Sequence, residues 1–241
     1  RFFHIKAPLL VLVCGTACVG KSVIATQLSE RLNFSHVIQT DILLDLIKDQ
    51  GYTASEKPLH PTPLWERDLA GPQLLAEYGR ECAALRQGLD CIIEKCHTEG
   101  KAMVLEGTHL DPAAFLAEDG LQPLGAPPRD PLPRGRQRPL LVPIVLEMAE
   151  VDHREMIRDW SKACTETTDA VFERLRTMQD YLLQFEAKGC VNVEVRLDSV
   201  SDTIDAVHEF LLSCLEKALK NNGMKRISSA NDLRTERTAD L

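Results

Sequence analysis

The residues with the most specific spacing in this chain form a glycine-rich segment near its start, VLVCGTACVGKSVIATQL at positions 11–28. Gly15, Gly20, Lys21 and Ser22 fit the pattern G-x-x-x-x-G-K-[ST], and they lie between an apolar run and a helical pattern. In such a loop the glycines permit a tight turn, backbone N–H groups face the β-phosphate, and the following helix adds a partial positive charge. The segment predicts a nucleotide-binding loop; the alternative is a glycine-rich turn with an exposed lysine.

Two side chains of this loop have defined roles in phosphoryl transfer. We expect Lys21 to bridge the β- and γ-phosphates and the hydroxyl of Ser22 to ligate Mg²⁺. The sequence contains neither an N-K-x-D nor an L-S-G-G-Q signature, which disfavours Ras-like GTPases and ABC transporters and favours a metabolite kinase that uses ATP and Mg²⁺. The predicted nucleotide-binding residues are Gly15, Thr16, Ala17, Cys18, Val19, Gly20, Lys21 and Ser22.

Acidic residues follow two further apolar runs. Asp41 ends VIQTD, where its carboxylate could accept the proton of an attacking hydroxyl or hold Mg²⁺ through water, although it could instead cap the helical pattern DILLDLI. The run MVLEGTH places Glu106, Gly107 and His109 at the same edge of the predicted sheet. Glu106 fits a role in ordering Mg²⁺; alternatively it is a plain loop residue and His109 a hydrogen-bonded histidine. The predicted substrate-binding residues are Asp41, Glu106, Gly107 and His109, and the predicted metal ligands are Ser22, Asp41 and Glu106.

A basic stripe is expected on the segment EVDHREMIRDWSKAC. Arg154, Arg158 and Lys162 recur at steps of four, opposite the apolar residues Met156, Ile157 and Trp160. A lid that closes over ATP needs such cations to stabilise charge on the transferred phosphoryl group, whereas a solvated helix face is the ordinary alternative. Arg154 and Arg158 therefore join Lys21 and Asp41 in the predicted catalytic set.

Regular elements of an α/β protein are needed to bring these residues together. Five short runs rich in Val, Leu and Ile alternate with helical patterns, as in a parallel sheet covered by helices on both faces. The predicted strands are Leu9 to Cys14, His36 to Gln39, Ala102 to Leu105, Leu140 to Leu146 and Val191 to Leu197. With the glycine loop after the first strand, the pattern predicts a P-loop NTPase of the nucleoside-monophosphate-kinase type.

Composition indicates the domain limits, the classes of partner and the cellular setting. We expect one kinase domain at 1–222, a Pro- and Arg-rich disordered insertion at 119–138, and a flexible tail at 223–241. The net charge of −8 argues against general nucleic-acid binding, and the longest apolar stretch is too short to cross a membrane. Eight cysteines without a C-x-x-C pattern indicate reduced thiols and a cytoplasmic setting. The expected partner is a small anionic substrate; protein partners are not predicted.

Four segments together resemble the 2-phosphoglycerate kinase family, which includes plant proteins implicated in phytic-acid synthesis. They are VCGTACVGKSVIATQLSERLN, VIQTD, CIIEKCHTEGKAMVLEGTHLDP and FERLRTMQDYLL, and the resemblance covers roughly residues 8–217 apart from the insertion. It implies a P-loop kinase that transfers the γ-phosphate of ATP to the 3-hydroxyl of 2-phosphoglycerate, giving 2,3-bisphosphoglycerate. The family's loop, strand-two acid and E-G-x-H motif correspond to Gly15–Ser22, Asp41 and Glu106–His109.

The chain departs from this family at two places. Cys18 stands where the family commonly has glycine, and CTETTDAV replaces an expected basic segment before FERLRTMQDYLL. Several interpretations stay open: an acceptor other than 2-phosphoglycerate, such as an inositol phosphate, or an ATP-binding module without catalysis. Alternatively, the acceptor's phosphate is held by other cations, namely Arg154, Arg158, Arg174 or Arg176.

Overall fold

The computed structural model describes residues 8–34, 36–51, 58–118, 120–123, 126, 138–160 and 167–217. Within these ranges six strands alternate with helices. The strands are β1 (Leu9–Cys14), β2 (Val37–Gln39), β3 (Ala102–Gly107), β4 (Gln122–Pro123), β5 (Leu140–Met148) and β6 (Val191–Val195). The α-helices are α1 (Lys21–Leu32), α2 (Thr40–Asp49), α3 (Gly71–Gly88), α4 (Asp90–Glu99), α5 (Pro112–Leu116), α6 (Glu150–Trp160), α7 (Thr168–Leu183) and α8 (200–217). Short 3-10 helices occupy Leu64–Glu66 and Gln184–Lys188.

The strands form one parallel sheet in the order β2-β3-β1-β5, and both β4 and β6 pair with β5. Strand β1 lies at the centre, and all six of its residues are buried because helices cover both faces. Its last residue, Cys14, is in register with Gly107 at the end of β3. The loops that carry the predicted site residues therefore leave the sheet at the same edge.

Two apolar clusters, one on each face of the sheet, hold these elements in place. Alternate residues of β1 contribute to opposite clusters, as the two-residue period of a strand requires. One cluster joins the sheet to α3 and α7, through residues that include Leu74, Tyr78, Phe172, Leu175 and Met178. The other joins it to α1 and α8, through residues that include Ile24, Leu28, Ile204, Val207 and Leu211.

The predicted α/β fold is confirmed, with local differences. The sheet has six strands where five were expected, because Gln122–Pro123 adds a two-residue strand beside β5. The helical stretch expected from Gln73 to His97 is divided at Leu89 into α3 and α4. Among the described helices, none has the length and apolarity that a bilayer span requires.

The predicted insertion at 119–138 is described only at residues 120–123, 126 and 138. Leu121 is fully buried, so the described start of this segment packs against the domain. The rest of the insertion and the predicted tail at 223–241 lie outside the described residues, and both assignments remain predictions.

Candidate active site

The candidate site lies where β1, β2 and β3 end side by side. The loop after β1 carries the glycine-rich segment, Asp41 begins α2 just after β2, and Thr108 and His109 follow β3. Because Gln39 is in register with Glu106 and Cys14 with Gly107, these three chain segments are neighbours at the edge. The parallel sheet thus assembles in space residues that are far apart in sequence.

The glycine-rich loop needs glycine at both ends. Gly15 has a φ of +150°, and a Cβ there would lie 2.9 Å from Val19 Cγ2 and 3.0 Å from Leu146 O. Gly20, immediately before α1, has a φ of +80°. Cys18 has a φ of +66°, a left-handed conformation that favours glycine. The loop therefore adopts its tight path although a cysteine occupies one of its left-handed positions.

Lys21 is nearly buried at the first position of α1. Its ammonium donates to Thr16 O at 2.8 Å and to Thr108 Oγ1 at 3.2 Å, so it lies between the phosphate loop and the end of β3. Burial lowers the pKa of Lys21, and the negative charges of Asp41 and Glu106 oppose this effect. The ammonium thus lies beside the loop that is predicted to hold the phosphates, and the bridging role of Lys21 remains a prediction.

Ser22 and Glu106 form a hydroxyl–carboxylate pair, with Ser22 Oγ donating to Glu106 Oε1 at 2.8 Å. Glu106 is almost fully buried; burial raises its pKa, while the hydrogen bond from Ser22 and the charge of Lys21 lower it. A hydroxyl and a carboxylate oxygen at this separation suit the oxygen preference of Mg²⁺, which commonly uses one or two protein ligands besides phosphates and water. Within the described ranges no group of three or more His, Cys, Asp or Glu side chains is arranged to hold a metal.

Asp41 does not cap α2, which was the alternative open from the sequence. The helix begins at Thr40 with Gln39 as its N-cap, and the carboxylate of Asp41 reaches across to the segment after β3. It accepts hydrogen bonds from Thr108 N at 2.8 Å and from Thr108 Oγ1 at 3.2 Å. Burial alone would raise the pKa of Asp41, but His109, Lys21 and the Thr108 N–H together lower it to about 2. The carboxylate is therefore ionised at neutral pH.

Gly107 has a packing role in the structure. A Cβ at this position would lie 2.0 Å from Thr40 Oγ1 and 3.0 Å from Asp41 Oδ1. Thr40 donates from the same hydroxyl to Glu106 O at 3.0 Å, which holds the start of α2 against β3. A side chain at Gly107 would clash with the Thr40 hydroxyl and crowd the Asp41 carboxylate, so this close approach requires glycine. Its predicted role in substrate binding remains a prediction.

His109 lies between two carboxylates and is 4% exposed. Its Nε2 is 3.1 Å from Glu81 Oε2, and its Nδ1 is 3.9 Å from Asp41 Oδ1. Burial lowers the pKa of His109, but the two carboxylates more than offset this and raise it overall. The two carboxylates therefore favour the protonated form of the imidazole, whose Nδ1 faces Asp41.

Glu81 is the residue of this cluster that sequence reasoning missed. It is fully buried in α3, Lys48 Nζ lies 3.1 Å from its Oε2, and Arg67 contacts its other oxygen. Burial alone would raise the pKa of Glu81, but His109, Lys48 and Arg67 lower it to about 2. One signal was available: Glu81 follows Leu74 by seven residues and Tyr78 by three, so a charged side chain falls on the apolar stripe of its helix.

The predicted cationic lid is only partly described. Arg154 Nη1 lies 2.5 Å from Asp169 Oδ1, and the guanidinium stacks 3.8 Å from the centre of the Phe172 ring, which places Arg154 against α7. Arg158 is exposed on the same helix, and Lys162 lies outside the described residues. Their catalytic roles remain predictions.

Two further arginines weighed as phosphate ligands are engaged with backbone carbonyls. Arg174 donates to Leu69 O at 3.2 Å and to Trp65 O at 3.1 Å, and Arg176 donates to Met148 O at 3.0 Å. In this structure they secure neighbouring segments around the site.

Side chains outside the motif support the phosphate loop from α7 and α6. Thr16 Oγ1 donates to Gln179 Oε1 at 3.1 Å, and Gln179 Nε2 donates to Leu146 O at 3.0 Å. Gln179 therefore ties the loop to the end of β5, which explains the glutamine in RTMQDY. His153 Nε2 lies 2.9 Å from Ala17 O. Neither contact could be found from spacing, because the partners are more than 130 residues apart in the chain.

Curated proteins similar to this chain are named 2-phosphoglycerate kinase. That of Pyrococcus horikoshii is 25% identical over 229 residues, covering 93% of this chain and 71% of that protein. That of Methanothermobacter thermautotrophicus is 32% identical over 126 residues, and this match covers 47% of this chain and 39% of that protein. These matches confirm the predicted resemblance to 2-phosphoglycerate kinases. No protein-family model matches the chain.

Among solved structures, the shikimate kinase from Acinetobacter baumannii in complex with shikimate shares the fold, with a TM-score of 0.50. The two proteins are 12% identical, and the alignment covers 88% of this chain and 98% of that one. This likeness confirms the P-loop kinase fold. The curated relatives are named as kinases, which confirms the predicted enzyme class, a phosphotransferase with an alcohol group as acceptor.

Proposed function

We propose that this chain is a Mg²⁺- and ATP-dependent kinase that transfers the γ-phosphate to a hydroxyl of an anionic metabolite, most directly the 3-hydroxyl of 2-phosphoglycerate. One observation carries the proposal: Thr108 Oγ1 lies 3.2 Å from Lys21 Nζ and 3.2 Å from Asp41 Oδ2. The Thr108 hydroxyl therefore lies between the Lys21 ammonium, which would contact the phosphates, and the Asp41 carboxylate, which would contact the acceptor. That spacing supports an in-line transfer between two bound substrates.

The residues of the phosphate side fit ATP and Mg²⁺. Bound MgATP supplies the transferable phosphoryl group. The loop from Gly15 to Gly20 would hold the β-phosphate through its N–H groups, and Ser22 with Glu106 would hold Mg²⁺. Lys21 would exchange its contacts with Thr16 O and Thr108 Oγ1 for phosphate oxygens, where it would stabilise charge during transfer.

On the acceptor side Asp41 would receive the proton of the attacking hydroxyl. The acceptor oxygen forms a bond to the γ-phosphorus, the bond from that phosphorus to the oxygen it shares with the β-phosphate breaks, and ADP leaves. Because the transition state of phosphoryl transfer is loose, the proton moves late, and a carboxylate with a low pKa suffices to orient the hydroxyl and then take the proton. His109 lies beside Asp41 and, when protonated, would stabilise its negative charge.

The acceptor's identity rests on the relatives. Their name specifies 2-phosphoglycerate, whose product would be 2,3-bisphosphoglycerate. Lys48 and Arg67, the two cations of the cluster around Glu81, are partly compensated, since both contact its carboxylate. This compensation favours an acceptor with few negative charges, such as a phosphoglycerate, over a highly phosphorylated inositol.

A coupled assay for ADP with purified protein and Mg²⁺ tests the proposal. We expect 2-phosphoglycerate to stimulate ADP formation more than 3-phosphoglycerate or an inositol phosphate does, and ³¹P NMR to identify a bisphosphoglycerate. Stimulation by the inositol phosphate alone would assign that acceptor instead. ATP binding without stimulation by any of the three would indicate a non-catalytic nucleotide-binding module.

A further inference from the structure

His153 is a fully buried side chain of α6 that contacts the phosphate loop without belonging to it. Its Nε2 lies 2.9 Å from the carbonyl oxygen of Ala17. Phe172 of α7 lies beside the imidazole, with the two ring centres 6.0 Å apart. The histidine therefore joins the helix that follows β5 to the middle of the loop.

The chemistry of this contact defines the state of the ring. Burial lowers the pKa of His153, and the charges of Arg176 and Lys21 lower it further, while the hydrogen bond to Ala17 opposes them. The ring is therefore neutral at pH 7. A carbonyl oxygen can only accept, so Nε2 carries the hydrogen and donates it. Nδ1 is buried without a hydrogen-bond partner among the described residues.

Holding the Ala17 carbonyl also sets the direction of the next N–H group. In a planar trans peptide the C=O and the N–H point in opposite directions. With Ala17 O held towards His153, the N–H of Cys18 must point away from α6. The preceding peptide is held differently, because Thr16 O accepts from Lys21, which would move to phosphate oxygens when nucleotide binds.

We propose that His153 is a positioning residue that fixes the Ala17–Cys18 peptide so that the Cys18 N–H faces the β-phosphate of bound nucleotide. The inference rests on the proposed function to the extent that the loop binds ATP. Cys18 adopts a left-handed conformation that a residue with a side chain seldom adopts unaided, so this peptide needs an external restraint. The His153 hydrogen bond provides that restraint and persists after Lys21 has moved to the nucleotide.

Two substitutions separate positioning from packing. His153→Leu removes the donor and keeps an apolar side chain, whereas His153→Gln offers an amide N–H that can reach the same carbonyl. Ile157→Val is the matched control, because Ile157 is the next buried residue on the same face of α6 and contacts no loop carbonyl through a polar atom. The measurements are the affinity for a non-hydrolysable ATP analogue by calorimetry and the melting temperature of each protein.

We expect His153→Leu to weaken analogue binding about tenfold, the loss typical of one oriented hydrogen-bond donor, and His153→Gln to bind within about threefold of wild type. Ile157→Val should lower the melting temperature without changing affinity. Equal affinity in wild type and both His153 variants would overturn the inference, as would equal weakening in both variants. If the leucine variant does not fold, His153→Met replaces it in the same comparison. Failure of the wild type to bind the analogue would instead refute the proposed ATP-dependent function.

Discussion

The phosphate side and the acceptor side of the site are stabilised by different means. The phosphate side is one continuous stretch, Gly15–Ser22, whose backbone path and hydrogen bonds to Gln179 and His153 define its shape. The acceptor side collects Asp41, His109 and Glu81 from three separate elements and holds them through opposite charges. Backbone conformation therefore dominates one half of the site, and buried charge dominates the other.

This difference predicts how each half responds to substitution. A loop fixed by backbone geometry should tolerate changes of side chain, except at Gly15 and Gly20, where the backbone path requires glycine, and at Lys21 and Ser22, where the side chain itself would bind the ligand. A buried charge cluster should respond strongly to the loss of one member, because the remaining charges are left in a poorly solvated environment. The experiments below test the two halves in turn.

Lys21→Ala should have the largest effect on activity. The lysine ammonium is the group that contacts both the loop and Thr108, so its removal should reduce turnover about 10³-fold and weaken stabilisation by ATP. Acceptor-dependent ADP formation and thermal melts with and without ATP are the measurements. Lys101→Ala is the control, because Lys101 is an exposed lysine paired with Glu99. Unchanged turnover in Lys21→Ala would show that another loop binds the active nucleotide.

Asp41→Asn, on the acceptor side, should have the second largest effect on the transfer rate. The amide can still accept a hydrogen bond from Thr108 N but cannot take a proton, so transfer should fall about 10²-fold at saturating MgATP. The melting temperature should also fall, since Asp41 is one of the two carboxylates beside His109, but by less than on loss of the fully buried Glu81, because the Asp41 side chain is 46% exposed. A rate equal to that of wild type would remove Asp41 from the catalytic set and leave Glu106 as the stronger candidate.

The two halves also differ in how far the sequence predicts them. The loop is contiguous, so its spacing alone predicts Lys21 and Ser22, and the five principal strands predict that Asp41 and Glu106 lie at one edge. Glu81 and Thr108 could not be placed in this way, because their roles depend on which helix packs beside β3 and on a hydroxyl that bridges two other residues. His153 and Gln179 depend in the same way on tertiary packing across the sheet edge.

Glu81→Gln should lower the free energy of unfolding while changing the rate at saturating substrate comparatively little. It removes the buried counter-charge of Lys48 and leaves Arg67 with the partly exposed Glu77, and the loss of one member of such a cluster costs about 3 kcal/mol. For a chain of this size that corresponds to a fall in melting temperature of about 6–12 °C. Glu77→Gln is the matched control on the same helix, since its carboxylate also contacts Arg67 but is 27% exposed, and its loss should cost about 1 kcal/mol or less.

The pH dependence of the same cluster provides an independent check. Because the pKa of Glu81 is lowered from 4.5 to about 2, its charge stabilises the folded protein above pH 4.5, and this contribution is lost as the pH falls through about 2. Between neutral pH and pH 3 the stability of Glu81→Gln should therefore decline less than that of wild type. Parallel curves for the two proteins would show that the neighbours of Glu81 do not lower its pKa.

The smallest expected effect concerns the backbone of the phosphate side. Cys18→Gly removes the strain of a left-handed residue with a side chain, worth about 1–2 kcal/mol, but the greater freedom of glycine in the unfolded chain offsets about 0.5–1 kcal/mol of that gain. The variant should therefore be slightly more stable by chemical denaturation and should bind ATP at least as well as wild type. Cys18→Ala is the control, because it removes the thiol while keeping the Cβ and the strain. A gain in stability in Cys18→Ala equal to that in Cys18→Gly would attribute the effect to the sulfur. A loss of ATP binding in Cys18→Gly would show that the loop depends on a side chain at this position as well as on its backbone.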